Sequence, residues 1–377
     1  MEYYIWQLSD GSARRIELLN TNHRLTTHNK HGMVAALDWF DNAIGFESNL
    51  PSKDQVFMIK EWLVFLALLS ALFGMIPLMN LLLTLPFFAP IACGIPNRPN
   101  REKSGKKWWK GAIITMAIAA FTYPFLTQLG HGLLPLSENI FRMTIGNGFL
   151  SWYLVLIVIM VVTTLISWKK SKKRDDPLDY ADLGFAGENN AKHIDWNMFL
   201  RSIVLVFSMV LFMYILLFIS MKLFTLDFRF IWPFFRLFSL ERFGQFLVYI
   251  PIFALFFLLN NSKIFAQMRV KEARMKGAKA FFVSWYHNAL CMVGGILIVI
   301  LIEYIPFFLG IGPGADLLFS PTFGGPFMSL LIVFAPQVIV FSILCTITYR
   351  KTGNVFTGAL LVATLACWIV TGGSAIL

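Results

Sequence analysis

Three histidines near the start of the chain have side chains whose chemistry is well defined. His23, His28 and His31 lie within one short segment, with spacings of five and three residues. Histidine binds metal ions and carries protons near neutral pH. This spacing lacks a cysteine or carboxylate complement and does not match a zinc site. We therefore predict no metal and no cofactor, so any role of these histidines depends on the elements that position them.

The residues around the histidines predict a short αβ unit. Residues 13–20 are predicted to form a β-strand, which a polar turn follows. From Met33 to Ile44, apolar residues recur at helical spacing, and Gly45 comes next as a helix C-cap. The predicted order is strand, histidine-bearing loop and amphipathic helix.

This order, with the helix containing Leu37-Asp38-Trp39-Phe40, resembles the last strand, histidine loop and helix of an α/β-hydrolase domain. In that fold the histidine of the catalytic triad lies in the loop after the last strand. The matching position is His23, and His28 is the alternative. The junction from Ser52 to Trp62 is similar to bacterial proteins that join such a domain to a multi-span membrane domain. The resemblance implies a serine hydrolase of the esterase, lipase or peptidase type.

The other parts of a hydrolase are not found in this chain. A serine hydrolase needs a nucleophile on a Gly-x-Ser-x-Gly turn and then an acid, both before the histidine. No Gly-x-Ser-x-Gly sequence occurs. We expect residues 1–52 to be the C-terminal remnant of a hydrolase domain, inactive alone, with the missing hydrolase portion as a partner. The alternative is a short extracytoplasmic cap without hydrolase ancestry.

The rest of the chain, residues 53–377, is predicted to be an all-α multi-span membrane domain whose partner is the lipid bilayer. Of the 377 residues, 57% are hydrophobic and 14% are charged, with a mean hydropathy of +0.66. The apolar residues form blocks of about 20, long enough to cross a bilayer as helices. The predicted spans are 61–79, 110–129, 148–168, 198–221, 243–260, 281–305, 326–348 and 354–375. Leu81 to Cys93 is predicted to be interfacial or re-entrant, with a ninth span as the alternative.

The basic residues alternate between connecting segments. Four segments, 98–110, 169–192, 263–279 and 350–351, hold 20 Lys and Arg residues, whereas the segments between them hold four. Cytoplasmic loops carry the excess of Lys and Arg in membrane proteins. The pattern therefore predicts a plasma-membrane protein with both termini outside the cytoplasm, and it explains the net charge of +11 without nucleic acid.

Several charged residues fall on the predicted outer side. This candidate polar cluster comprises Glu303, Asp227, Arg229, Arg236, Glu241 and Arg242. The alternative is that these groups are interfacial charges in water. The function predicted from the sequence is the membrane domain of an α/β-hydrolase-like protein. One alternative is a transporter or channel-like protein, and the other is a membrane-embedded lipid-modifying enzyme that uses Glu303 and the outer arginines.

Overall fold

The computed structural model describes residues 3–5, 11–21, 25–45, 50–129, 139–173, 175–230, 232–310 and 325–376. The N-terminal part is a two-stranded antiparallel hairpin, β1 (Tyr3–Ile5) with β2 (Arg14–Ile16), followed by helix α1 (Lys30–Ile44). The Asn29 side chain accepts a hydrogen bond from the Gly32 amide at 3.1 Å and so caps the start of α1. The helix ends at Gly45, whose φ of 68° suits glycine. The predicted helix is present, whereas of the strand predicted for residues 13–20 only Arg14–Ile16 forms.

Eight helices in the described part are long and apolar enough to cross a membrane, so the all-α polytopic fold is confirmed. The helices are α2 (Phe57–Leu82), α3 (Gly105–Gln128), α4 (Thr144–Ser171), α5 (Trp196–Phe224), α6 (Leu240–Asn261), α7 (Ala278–Phe308), α8 (Gly325–Thr352) and α9 (Phe356–Gly373). Each coincides with one predicted span. A π-helical segment, Ser262–Gln267, continues α6.

Residues between α2 and α3 do not form a ninth span. After Leu82 the chain turns, makes one short 3₁₀ turn at Ala89–Ile91, and packs Ile91 into the interior. The Cys93 amide donates a hydrogen bond to the Thr352 carbonyl at 3.2 Å, at the end of α8. The segment is therefore a loop folded onto the ends of other helices.

Helix α9 lies in the middle of the bundle and packs against α5, α6 and α8. Most of its residues are buried, because neighbouring helices surround it. Helix α3 packs against α4 and α7, and its contact with α7 is close. A Cβ atom added at Gly295 of α7 would lie 2.6 Å from the Ala119 Cβ of α3. Small residues of this kind let membrane helices approach each other closely.

The segment between α5 and α6 folds as a hairpin of β3 (Phe228–Phe230) and β4 (Trp232–Phe235). The Phe230 ring lies 4.7 Å from the Trp62 ring of α2, and Phe235 lies 5.0 Å from Trp368 of α9. These aromatic contacts fasten the hairpin to the bundle.

The bundle has two different ends. The loops between α2 and α3, α4 and α5, α6 and α7, and α8 and α9 meet at one end, which we call the basic end because it carries most of the Lys and Arg. The other end, which we call the opposite end, carries the β3–β4 hairpin and the start of α2.

Candidate functional site

A cavity of about 630 Å³ lies within the bundle, between α3, α4, α6 and α7, with α8 and α9 at its far wall. Ligand sites in proteins typically have volumes of about 300–1,000 Å³. Along α4 the wall extends from Phe149 to Lys170. At the helical rise of 1.5 Å per residue this is about 30 Å, which is the thickness of the hydrocarbon layer.

The mouth of the cavity lies at the basic end and is strongly cationic. Its basic residues are Arg101, Lys103, Lys107, Lys110, Lys170 and Lys263. Among the described residues of the wall, Asp182 is the single acid. Lys107 and Lys110 lie in the first turns of α3, and Lys170 lies in the last turn of α4. These helix ends place the amino groups at the level of lipid headgroups.

Asp182 organises the loops beneath this mouth. Its carboxylate lies 3.2 Å from the Arg101 Nε and 3.3 Å from an Arg98 nitrogen, and Arg98 is also 2.5 Å from Asp179. Burial, together with the charge of Asp179, raises the pKa of Asp182 above its ordinary value, although both arginines oppose this shift. The Arg101 guanidinium also donates to the carbonyls of Asp176 and Pro177 at 2.9 and 2.8 Å. The α2–α3 and α4–α5 loops are thereby joined.

The α6–α7 loop is joined to the same assembly by two arginines. The Arg274 Nε donates to Glu102 at 2.6 Å. Arg350, at the end of α8, donates to the carbonyls of Glu272, Ala273 and Met275 at 2.6, 3.0 and 2.5 Å. These bonds fix four loops around the mouth of the cavity.

Arg269 is a further cation near the mouth. It is 1% exposed, and its guanidinium interacts electrostatically with the buried Tyr349 of α8. Its carbonyl accepts a hydrogen bond from the Lys103 amide at 2.9 Å. The preceding residue, Met268, lines the cavity, and its sulfur lies 4.0 Å from the Thr115 Oγ1 of α3. The loop that carries Arg269 therefore also bridges towards α3.

Below the mouth, the wall is apolar and aromatic. The rings of Tyr153 and Phe256 stack at 3.9 Å, with an interplanar angle of 6°. Tyr123 donates to the Phe327 carbonyl at 2.9 Å, and Trp152 donates to the Thr122 hydroxyl at 3.0 Å. Because these polar atoms bond within the protein, they present mainly ring surface to the cavity. The cavity thus has a cationic mouth and an apolar interior.

Of the two histidines predicted as the triad base, His28 is among the described residues, and it does not line the cavity. His23 is outside the described residues. His28 lies near the start of α2, where its Nε2 is 3.9 Å from a carboxylate oxygen of Glu61 and its ring centroid is 6.2 Å from that of Phe57. The Thr27 hydroxyl lies 3.0 Å from the His28 Nδ1. The histidine loop therefore lies beside the opposite end of the bundle.

The predicted outer polar residues occupy four places at that end. The buried Asp227 binds Arg229 at 2.5 Å and Arg236 at 3.3 Å, which brings these two arginines together.

The remaining members of the predicted cluster lie apart from Asp227. Glu241 pairs with Arg142 at 2.5 Å. Arg242 donates to the carbonyls of Thr371 and Ser374 at 2.7 and 2.9 Å. Glu303 is buried within α7.

Sequence reasoning missed the cavity. In the sequence, Lys107, Lys110 and Lys170 indicate only the orientation of the chain in the membrane. One available signal was the position of these lysines at the ends of α3 and α4, one helical turn or less beyond apolar runs. Comparison with protein-family models, with curated proteins and with solved structures finds no match to this chain.

Proposed function

We propose that this chain is the membrane domain of an α/β-hydrolase-type protein, and that its N-terminal part completes a hydrolase domain outside the cytoplasm. The observation that carries the proposal is the apolar face of α1. Leu37, Phe40 and Ile44, predicted to face a core, are 39%, 55% and 73% exposed. An amphipathic helix of a folded domain buries this face against other elements.

The hairpin beside α1 has the same property. Ile16 of β2 and the nearby Leu18 are 57% and 77% exposed. Large apolar side chains exposed together in one short part of a chain mark a place where another part of a protein packs. The strand and helix that carry these side chains belong to the part of the chain that resembles the end of an α/β-hydrolase domain. The remainder of such a domain is therefore the occupant that we propose.

The position of the histidine loop agrees with this assignment. The contacts of His28 with Glu61 and Phe57 place the loop near the start of α2, at the end of the bundle that is poor in Lys and Arg. By the distribution of basic residues this end is outside the cytoplasm. The membrane domain would hold the hydrolase at that surface of the bilayer, with His23 as the base that activates its serine.

The test uses the chain tagged at its C-terminus and purified from native membranes. A fluorophosphonate probe labels a serine that a neighbouring base activates, and in the α/β-hydrolase triad that base is a histidine. We expect a labelled serine hydrolase within, or bound to, the purified protein. His23→Ala should abolish the labelling and leave the assembly intact.

The matched control is His31→Ala, which should leave labelling unchanged because His31 is exposed and pairs with Glu17. Labelling that survives both His23→Ala and His28→Ala would assign the base to another residue. Purified protein without any fluorophosphonate-reactive serine would overturn the hydrolase assignment.

A further inference from the structure

We propose that the cavity is a binding site for an amphiphile with an anionic, phosphate-type headgroup, which enters from the basic end and places its chain between α3, α4 and α6. This inference does not depend on the hydrolase assignment, because the cavity lies wholly within the membrane domain.

The positive charge of the cavity mouth favours an anionic headgroup. Six basic side chains and one acidic side chain line the described wall, and the acid, Asp182, is already held by Arg98 and Arg101. Since Asp182 is the single acid among the described residues of the wall, Lys107, Lys110, Lys170 and Lys263 leave the mouth with an excess of positive charge. Lysines at the membrane surface attract anionic lipid headgroups with about 1 kcal/mol each. A neutral or cationic headgroup would leave these amino groups crowded together without compensation.

The interior selects an apolar chain. Ile114 and Ile118 of α3 face Leu156 and Ile159 of α4 across the space, and Phe257 of α6 adds an aromatic surface. The length of this wall is close to the hydrocarbon thickness of one bilayer. A small soluble anion would occupy the mouth alone and leave the apolar part unfilled. An apolar molecule would leave the cationic mouth unpaired. An amphiphile satisfies both parts.

A phosphate group at the mouth could belong to a membrane lipid or to a soluble phosphate ester, and the two sources are separable. The full chain is reconstituted in phosphatidylcholine vesicles that contain a small fraction of a photoactivatable lipid. One preparation carries phosphatidic acid with a diazirine in its acyl chain, and the other carries phosphatidylcholine with the same chain. Labelled peptides are located by mass spectrometry. We expect phosphatidic acid to label wall positions such as Ile114 and Thr163, and phosphatidylcholine to label only the lipid-facing surface.

Charge at the mouth is tested with a matched pair of double variants. Lys107→Gln with Lys170→Gln removes two amino groups from the mouth, whereas Lys106→Gln with Lys169→Gln removes two neighbouring amino groups that do not line the cavity. The first pair should lower cavity labelling by about tenfold or more. The second pair should change it by less than about twofold, because headgroup attraction at the open surface is screened by salt.

The interior is tested by filling it. Ile114→Trp places an indole in the cavity and should abolish labelling of the wall. Ile113→Trp is the control, since Ile113 is exposed on the adjacent face of α3 and does not line the cavity. All variants are compared by size-exclusion chromatography and thermal unfolding, so that a loss of labelling is not a loss of fold.

Three results would overturn the proposal. Equal cavity labelling by phosphatidic acid and phosphatidylcholine would remove the selection for an anionic headgroup. Equal losses in the two lysine pairs would show that the mouth has no special role. Binding of glycerol 3-phosphate that Ile114→Trp leaves unchanged, without labelling of the cavity wall by phosphatidic acid, would make the ligand a soluble phosphate ester and not an amphiphile.

Discussion

The two ends of the bundle hold their charges in different ways. At the basic end, Arg98 pairs with Asp179 and Arg101 pairs with Asp182, so that each bond joins two different loops. At the opposite end, Asp227 pairs with Arg229, two residues further along the same hairpin. The pairs at the basic end therefore connect loops, whereas at the opposite end the buried Asp227 pairs within its hairpin and the pair between separate elements, Glu241 with Arg142, is exposed.

Aromatic contacts are the second difference between the two ends. The β3–β4 hairpin at the opposite end is fixed by aromatic contacts, among them Phe230 with Trp62 and Phe235 with Trp368. At the basic end, Arg350 alone binds three carbonyls of the α6–α7 loop. The comparison teaches that the end surrounding the cavity mouth depends on buried charge, and that the other end depends on ring contacts. The following predictions are ordered by the size of their expected effect on this difference.

The largest effect is expected for Arg101→Met. This change leaves the buried Asp182 with only Arg98 and removes the donor to the carbonyls of Asp176 and Pro177. Breaking a buried ion pair from one side costs about 3–5 kcal/mol. We expect a loss of about 3 kcal/mol in the free energy of unfolding, measured by thermal unfolding in detergent at neutral pH.

The control for Arg101→Met is the pH dependence of its free energy of unfolding. The pKa of Asp182 is raised in the folded protein, so the folded state binds a proton more readily than the unfolded state. Stability is therefore gained as pH falls through the raised pKa and lost as pH rises through it. Without Arg101 the pKa of Asp182 rises further, so the deficit of Arg101→Met should shrink as pH falls towards about 4. A deficit independent of pH would contradict the role of Asp182.

The second prediction concerns the backbone at the basic end. Gly353 has a φ of +68°, and a Cβ atom added there would lie 1.8 Å from the Gly94 carbonyl oxygen. Gly353→Ala should cost about 2–3 kcal/mol, because the left-handed strain adds to a clash with main chain. Gly94→Ala is the control: its φ is +72°, but nothing lies within 4 Å of its added Cβ. It should cost about 1 kcal/mol. Equal losses would show that the two loops do not meet closely.

The third prediction is the counterpart of the first at the opposite end. Arg229→Met leaves Asp227 with Arg236, whose side chain is half exposed. Water can replace part of the lost interaction, so we expect a cost of about 1–2 kcal/mol in thermal unfolding. A loss as large as that of Arg101→Met would remove the difference between the two ends.

The smallest effect is expected for Glu241→Gln. The Glu241 side chain is 50% exposed and its partner Arg142 is 34% exposed. Exposed ion pairs contribute about 0–1 kcal/mol, and salt weakens them. We expect a change below about 1 kcal/mol that disappears at high salt. A larger, salt-independent loss would mean that this exposed pair stabilises the fold as strongly as a buried one.

The fold was predictable to the extent that it depends on apolar length. All eight spans follow from runs long enough to cross a bilayer, and Gly45 marked the end of α1 because it takes a left-handed conformation. The ends of the helices were predicted less accurately. Helix α6 begins at Leu240, three residues before the predicted 243, because the Ser239 side chain caps it with a bond to the Arg242 amide at 3.2 Å. A capping serine lies outside the apolar run, so the hydropathy of the sequence does not reveal that the helix begins there.

The cavity was not predictable because no single segment contains it. Its mouth combines Lys107 of α3, Lys170 of α4 and Lys263 after α6. Each of these lysines has an ordinary explanation as a topology signal. Only the packing order of the helices brings their amino groups to one opening. The apolar face of α1 shows the opposite case, since the pattern predicted a buried face and the described residues leave it exposed.

The bridge across the cavity mouth has a consequence for the rate of entry. Helix α3 is packed closely on α7 through Gly295, whereas across the mouth it meets the end of α6 through the flexible side chain of Met268. A side chain changes rotamer in picoseconds to nanoseconds, but packed helices separate in microseconds to milliseconds. We therefore expect a bound molecule to exchange through the opening between α3 and α6, where a side chain must move, and not between α3 and α7, where packed helices must separate. A cross-link between α3 and α6 should slow exchange, and unchanged exchange would assign the path elsewhere.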